Sequence, residues 1–320
     1  MARVVAIGGG HGLARALRAL RLLDVAPVAI VTAADDGGSS GRLRRDLDII
    51  APGDLRRALL ALARDQDLAR ALAHRFAHGE LSGHALGNLL LVALAEQDGG
   101  DWVAGLDRAA RLLDCAGRVL PSTTTPVALL ASTAAGVLQG QVRVMSTERA
   151  LERVWLDPPD ALACAAAVDE LGACDMVVLA PGSLFTSILP NLLVPGIADA
   201  LVGSSARVVY VANVATQRGE TTGLDADGHI SALLRHVPGL VLDTVVLHDG
   251  PRPEGPGQPL GTGVDPGLAG TVLSADLTAR AADGRPIPAH DPERLAGVLS
   301  RLLAAARAGS APAECGPPTA

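Results

Sequence analysis

Apolar positions along the chain follow two alternating periods. Arg3 to Ile7 is a short apolar run, then comes Gly8-Gly9-Gly10-His11-Gly12, then Leu13, Leu17, Leu20 and Leu23 at helical spacing. Val28 to Val31 is the next buried run. Strand, glycine turn, helix and strand make a βαβ unit, whose crossover is nearly always right-handed. Pro52-Gly53-Asp54 opens another helix, with Asp54 as its expected N-cap. Helical spacing continues to about residue 78, then over 84–96 and 101–114. Residues 118–156 break into β-prone pieces (118–120, 127–132, 137–144 and 153–156) with Gly turns, read as a small antiparallel insertion or sheet extension. Alternation then resumes, with helices at 161–171, 196–204, 230–236 and 292–308 and strands at 176–179, 207–212, 241–247 and 271–275. The Gly- and Pro-crowded stretch 248–270 is expected to be a loop or lid, and 309–320 a disordered tail. The expected architecture is one α/β domain over 1–308 with a mainly parallel sheet.

Composition narrows the function classes. With 49% hydrophobic and 19% charged residues over 320 positions, the chain can bury a sizeable core. No run approaches ~18 apolar residues, so no membrane insertion is expected. A net charge of −7 and five aromatic residues argue against nucleic acid as a partner. The start lacks signal-peptide architecture, and the four cysteines (115, 164, 174, 315) lack metal or Cys-x-x-Cys spacing. Both fit a cytoplasmic expectation. The chain has no lysine, which excludes a Walker A loop and Schiff-base chemistry. Asparagine occurs only at 88, 191 and 213, each in a Gly- or Pro-bearing motif.

Four polar loops follow predicted strands or open helices, and open α/β sheets bind ligands at the carboxyl ends of their strands. Gly8 to Gly12 opens a helix, where free N–H groups suit a phosphate; a tight turn without ligand has the same composition. Position 13 is Leu, so the Gly-x-Gly-x-x-Gly dinucleotide fingerprint is incomplete. Asp35 and Asp36 precede Gly37, Gly38, Ser39, Ser40, Gly41 and Arg42, which together offer donors and both signs of charge. Pro181-Gly182-Ser183 follows a buried strand without the Gly-x-Ser-x-Gly hydrolase elbow. Asn213 to Thr221, with Thr216, suits ribose, base or sugar hydroxyls. His84 and Asn88, four apart, share one face of a predicted helix start. Turn formation, capping and burial account for each loop taken singly, whereas loops at the ends of parallel strands would meet in one crevice. His74 and His78 are also four apart, but no third ligand is spaced to complete a zinc site.

Gly-Gly-Gly-His-Gly-Leu, Ala-Asp-Asp-Gly-Gly-Ser-Ser-Gly-Arg-Leu-Arg, Pro-Gly-Asp-Leu-Arg, Gly-His-Ala-Leu-Gly-Asn-Leu, Pro-Gly-Ser-Leu-Phe-Thr-Ser-Ile-Leu-Pro-Asn and Asn-Val-Ala-Thr-Gln-Arg-Gly-Glu-Thr resemble, in order, the YvcK-like branch of the YvcK/CofD family over residues 3 to about 247. The resemblance implies a Rossmann-like three-layer α/β/α fold in a cytoplasmic protein. It implies a gluconeogenesis factor that binds UDP-N-acetylglucosamine and supports cell shape on gluconeogenic carbon, with no catalytic residue and no required cofactor. The ligand-binding set is then Gly9, Gly10, His11, Gly12, Asp35, Asp36, Gly37, Ser39, Ser40, Arg42, Asn88, Pro181, Gly182, Ser183, Asn213 and Thr216. In that set the diphosphate lies on the Gly9–Gly12 turn and Ser183. A homo-oligomer is compatible with it. The CofD branch implies the alternative, a Mg²⁺-dependent 2-phospho-L-lactate transferase acting on a deazaflavin precursor, with Asp36 and Asp54 on the metal. Departures from the family pattern are His11 for a common Thr, Phe185 for Tyr, Arg218 for Pro, and the unmatched 248–270.

Overall fold

A computed structural model describes residues 2–255 and 257–308. In chain order the elements are β1 (Val4–Gly8), α1 (Gly10–Arg21), β2 (Val28–Val31), α2 (Gly38–Leu47), α3 (Pro52–Leu62), α4 (Gln66–Ala73), α5 (Leu86–Gln97), α6 (Trp102–Leu112), β3 (Arg118–Pro121), β4 (Ala128–Thr133), β5 (Gly136–Gln139), α7 (Gln141–Met145) and β6 (Arg153–Asp157). They continue with α8 (Ala165–Ala173), β7 (Met176–Leu179), a π-helical turn (Leu184–Ile188), α9 (Leu189–Leu192), α10 (Pro195–Gly203), β8 (Arg207–Val211), α11 (Ala226–His236), β9 (Thr244–His248), β10 (Thr271–Ala275), β11 (Thr278–Arg280), β12 (Pro286–His290) and α12 (Pro292–Ala308).

Seven strands form one parallel sheet in the order β10-β9-β8-β7-β1-β2-β3. Its central strands β1 and β7 are buried along their whole length, as unbroken apolar runs in a sheet covered on both faces must be. α1 packs between α3 and α12 on one face, with Leu13, Leu17 and Leu20 inward, as the helical spacing predicted. The fold is therefore Rossmann-like α/β. A separate antiparallel sheet, β5-β4-β6, stands beside it, and β11 pairs with β12 in a hairpin. Among the described residues no single helix is long and apolar enough to cross a membrane.

Several expectations change. Residues 118–121 join the main sheet as its edge strand, so the antiparallel unit is only β4 to β6. Residues 141–145 are helix, not strand: Gly140 turns the chain at φ +98°, and the Asp36 carboxylate accepts from the Val142 N–H at the start of α7. Asp54 is not an N-cap. Ala51 holds that position before Pro52, and the Asp54 carboxylate reaches across to α1. The helical stretch to about residue 78 ends at Ala73, and residues 74–85 form an irregular turn. Residues 248–270 are largely irregular after β9, with Leu260 buried in the core. The expected disordered tail lies outside the described residues.

Candidate functional site

The strand order reverses between β1 and β7, so the loops leaving these strands part and open a crevice at the carboxyl edge of the sheet. The two loops touch backbone to backbone. A Cβ on Gly12 would overlap the Pro181 carbonyl oxygen and lie 2.5 Å from its carbon and 2.8 Å from Gly182 Cα. Gly10 takes φ +61°, a conformation glycine adopts freely. The loop after β8 arrives at the same place. Asn213 Oδ1 accepts from the Gly182 N–H at 2.8 Å, and its Nδ2 donates to the Gly182 carbonyl at 2.7 Å. From the β2 side, Thr32 and Asp54 close on Gly9, and Ser187 closes on it from the β7 side. Gly9, Gly10, Gly12, Pro181, Gly182 and Asn213 are thus brought together, with Ser183 adjoining and His11 on the exposed first turn of α1.

Both helical starts in the crevice already hold a carboxylate of the chain itself. Asp54 Oδ2 accepts from the Gly10 N–H at 2.8 Å, and Oδ1 pairs with Arg57. Glu220 Oε1 accepts from the Phe185 N–H at 2.7 Å, the Thr186 N–H at 3.1 Å and the Ser183 hydroxyl. Ser183 also caps Thr186. Burial pushes both carboxyls above the usual range. Asp35 adds to the rise at Asp54, opposed by Arg57 and the Gly10 N–H, and the three hydrogen bonds oppose it at Glu220. The His11 ring is pushed the other way, by burial and then by Arg57, Arg15, Arg18 and Arg56.

The remaining expected residues divide between the crevice and its surroundings. Asp35 Oδ1 accepts from the Gly37 N–H at 3.0 Å, and Asp35 and Ser40 both crowd Gly53. Ser39 Oγ meets His84 Nδ1 at 3.1 Å and accepts from Asn88 Nδ2 at 3.0 Å, so His84 and Asn88 converge although His84 precedes the helix. Arg42 reaches outward to the Ser82 carbonyl at 2.6 Å. Thr216 Oγ1 accepts from the Gln258 N–H at 2.9 Å, tying the β8 loop to the 248–270 segment. Thr216 and Asn213 line a cavity of about 300 Å³ with Arg218, Gly257 and His290. Asp36 turns to the small sheet and lines a second cavity, of about 250 Å³, with Arg44 and Gln139. Asp36 and Asp54 hold different partners: Asp36 accepts from the Val142 N–H, whereas Asp54 accepts from the Gly10 N–H and pairs with Arg57. The carboxylate that acts on Asp54 is that of Asp35.

Sequence reasoning did not single out Glu220, Arg56, Arg57, Thr32 or Ser187. For the two arginines a signal exists, since cations early in a helix oppose its dipole and α3 carries both just after its first turn. Glu220 has no local signal; only the fold sets it on Ser183.

Comparison with known proteins bears on the family and the fold. The family described as 2-phospho-L-lactate transferase CofD matches residues 4–257. A putative gluconeogenesis factor of Mycobacterium tuberculosis is 42% identical over 317 residues, covering 94% of this chain and 90% of that one. The gluconeogenesis factor of Bacillus subtilis is 39% identical over 255 residues, covering 79% of this chain and 80% of that one. A crystal structure of a UPF0052 family member from Bacillus halodurans superimposes with a TM-score of 0.85 at 36% identity, covering 93% of this chain and 99% of that one.

Proposed function

The chain belongs to the CofD family, in its gluconeogenesis-factor (YvcK) branch, and from that premise we propose that it is a cytoplasmic UDP-N-acetylglucosamine-binding regulatory protein that does not turn its ligand over. The observation that carries the reading is the meeting of the β1, β2, β7 and β8 loops where the strand order reverses, the place at which open α/β sheets take nucleotides. Asp35 stands at the end of β2, where a carboxylate can accept from ribose or sugar hydroxyls. Bound nucleotide sugar would report carbon supply to the machinery of cell shape during gluconeogenic growth. The Ser183 hydroxyl bonds a buried carboxylate that also accepts two backbone N–H groups, so on this reading that carboxylate serves to hold the helical start.

Isothermal titration of the full chain with UDP-N-acetylglucosamine tests the reading, and no saturable heat at millimolar ligand refutes it. The transferase alternative draws support from the match of residues 4–257 to the phospholactate transferase family. Incubation with a guanylated phospholactate donor and a deazaflavin acceptor, with and without magnesium, decides that point.

A further inference from the structure

Arg56 is a buried cation without a bonded counter-ion. Only 7% of the residue is exposed, its Nε is covered and unpartnered, and its guanidinium donates no hydrogen bond to the described residues. Buried arginines are ordinarily paired, and a sealed Nε–H calls for an acceptor. The carboxylates whose charge reaches Arg56 are engaged elsewhere, Asp54 by the Gly10 N–H and Arg57, Asp35 by the Gly37 N–H.

The surroundings are cationic in depth. The Arg56 stem lies over Gly87, where a Cβ would stand 2.8 Å from its Cδ. Arg57 is half-buried, and Arg75 is exposed on the rim, bonded to the Gly83 carbonyl. Burial and then the charges of Arg57 and Arg75 lower the Arg56 pKa to about 10. Arg57 pairs with the same Asp54 carboxylate that accepts from the Gly10 N–H, so this cluster borders the glycine turn. Next to Gly87, Asn88 is 1% exposed and its Oδ1 is buried without a partner.

We propose that Arg56, with Arg57 and Arg75 beside it, forms a phosphate subsite, and that the diphosphate of the bound nucleotide lies there, next to the glycine turn and not on it. The inference rests on the nucleotide-sugar reading above. Two features favour it. The first N–H of the turn, that of Gly10, is already satisfied by Asp54. A delocalised, fork-shaped donor such as guanidinium suits the charge and geometry of a phosphate.

The test uses the full chain and two probes, inorganic pyrophosphate and UDP-N-acetylglucosamine, on wild type, Arg56→Lys and Arg56→Met. Pyrophosphate is expected to raise the wild-type melting temperature and to compete with the nucleotide sugar. Arg56→Met is expected to lose the pyrophosphate response and to weaken nucleotide-sugar binding about tenfold or more, with Arg56→Lys intermediate. Without ligand, Arg56→Met is expected to melt no lower than wild type, since an unpaired buried charge is exchanged for an apolar side chain of similar length. A large fall in that ligand-free melting temperature overturns the assignment in favour of a structural arginine. Unchanged nucleotide-sugar affinity in Arg56→Met overturns the subsite and leaves the nucleotide reading intact. Pyrophosphate binding lost with Arg56, in a chain that binds no UDP-N-acetylglucosamine, supports the subsite and refutes the nucleotide-sugar reading.

Discussion

Gly12→Ala tests the junction on which the crevice depends. The new methyl has no side chain to push aside, because what it meets is backbone: the Pro181 carbonyl, with its carbon 2.5 Å away, and Gly182 Cα at 2.8 Å. Ordinary carbon contacts lie near 3.5 to 4.0 Å, so the loops after β1 and β7 must separate by about an ångström. Overpacking of this kind costs about 1–3 kcal/mol where side chains can adjust, and backbone opposition places this case at the upper end. Separation also strains the paired bonds between Asn213 and Gly182, each worth roughly 1 kcal/mol. A loss of about 3 kcal/mol is therefore expected. At roughly 2 cal/mol/K of unfolding entropy per residue, a chain of this size converts that loss to a melting-temperature drop of about 5 °C. Scanning calorimetry reads the drop, and titration reads the accompanying loss of ligand affinity. A variant that melts within about 1 °C of wild type with unchanged affinity would falsify the contact.

Other outcomes follow from single sites. Gly297 lies inside α12 with open space around its Cα, so Gly297→Ala is expected to stabilise by about 1 kcal/mol in urea denaturation, and a loss of stability would contradict the open environment. Burial pushes His290 down to about 3, below its ordinary 6.5. Its neutral form therefore contributes stability that is complete above about pH 6.5 and drains away as pH falls toward 3, by on the order of 4 kcal/mol. Urea midpoints of wild type and His290→Gln across that window check it, and parallel curves would count against the burial. Glu220→Ala strands the Phe185 and Thr186 N–H groups, so it is expected to cost about 2 kcal/mol more than Glu220→Gln, which keeps an acceptor; equal losses would show that water replaces the carboxylate.

Much of the fold was legible because β1, β2 and β7 are covered on both faces, which demands short unbroken apolar runs that little else imitates. β3 was recognised as β-prone, but whether it joined an antiparallel insertion or extended the main sheet stayed open, since propensity carries no information about which strand will lie alongside. Val142 and Val144 alternate like a strand, but Gly140 turns the chain at φ +98° and a carboxylate 106 positions earlier accepts at the helix start. In the site, Gly12, Gly182 and Asn213 could be found because close backbone approach and paired amide bonding restrict the residue types that fit. The carboxylates on the helical starts could not. Asp54 meets an N–H 44 positions away and Glu220 one 35 positions away, and neither distance leaves a trace in local pattern.

Asn213 spends both halves of its amide on one peptide unit, Gly182. The floor beneath any guest is consequently set at folding, before a guest arrives. For the proposed nucleotide-sugar guest, entry would then require little rearrangement of that floor, and residence time would be governed by the walls: the proposed arginine side and the segment that Thr216 fastens at Gln258.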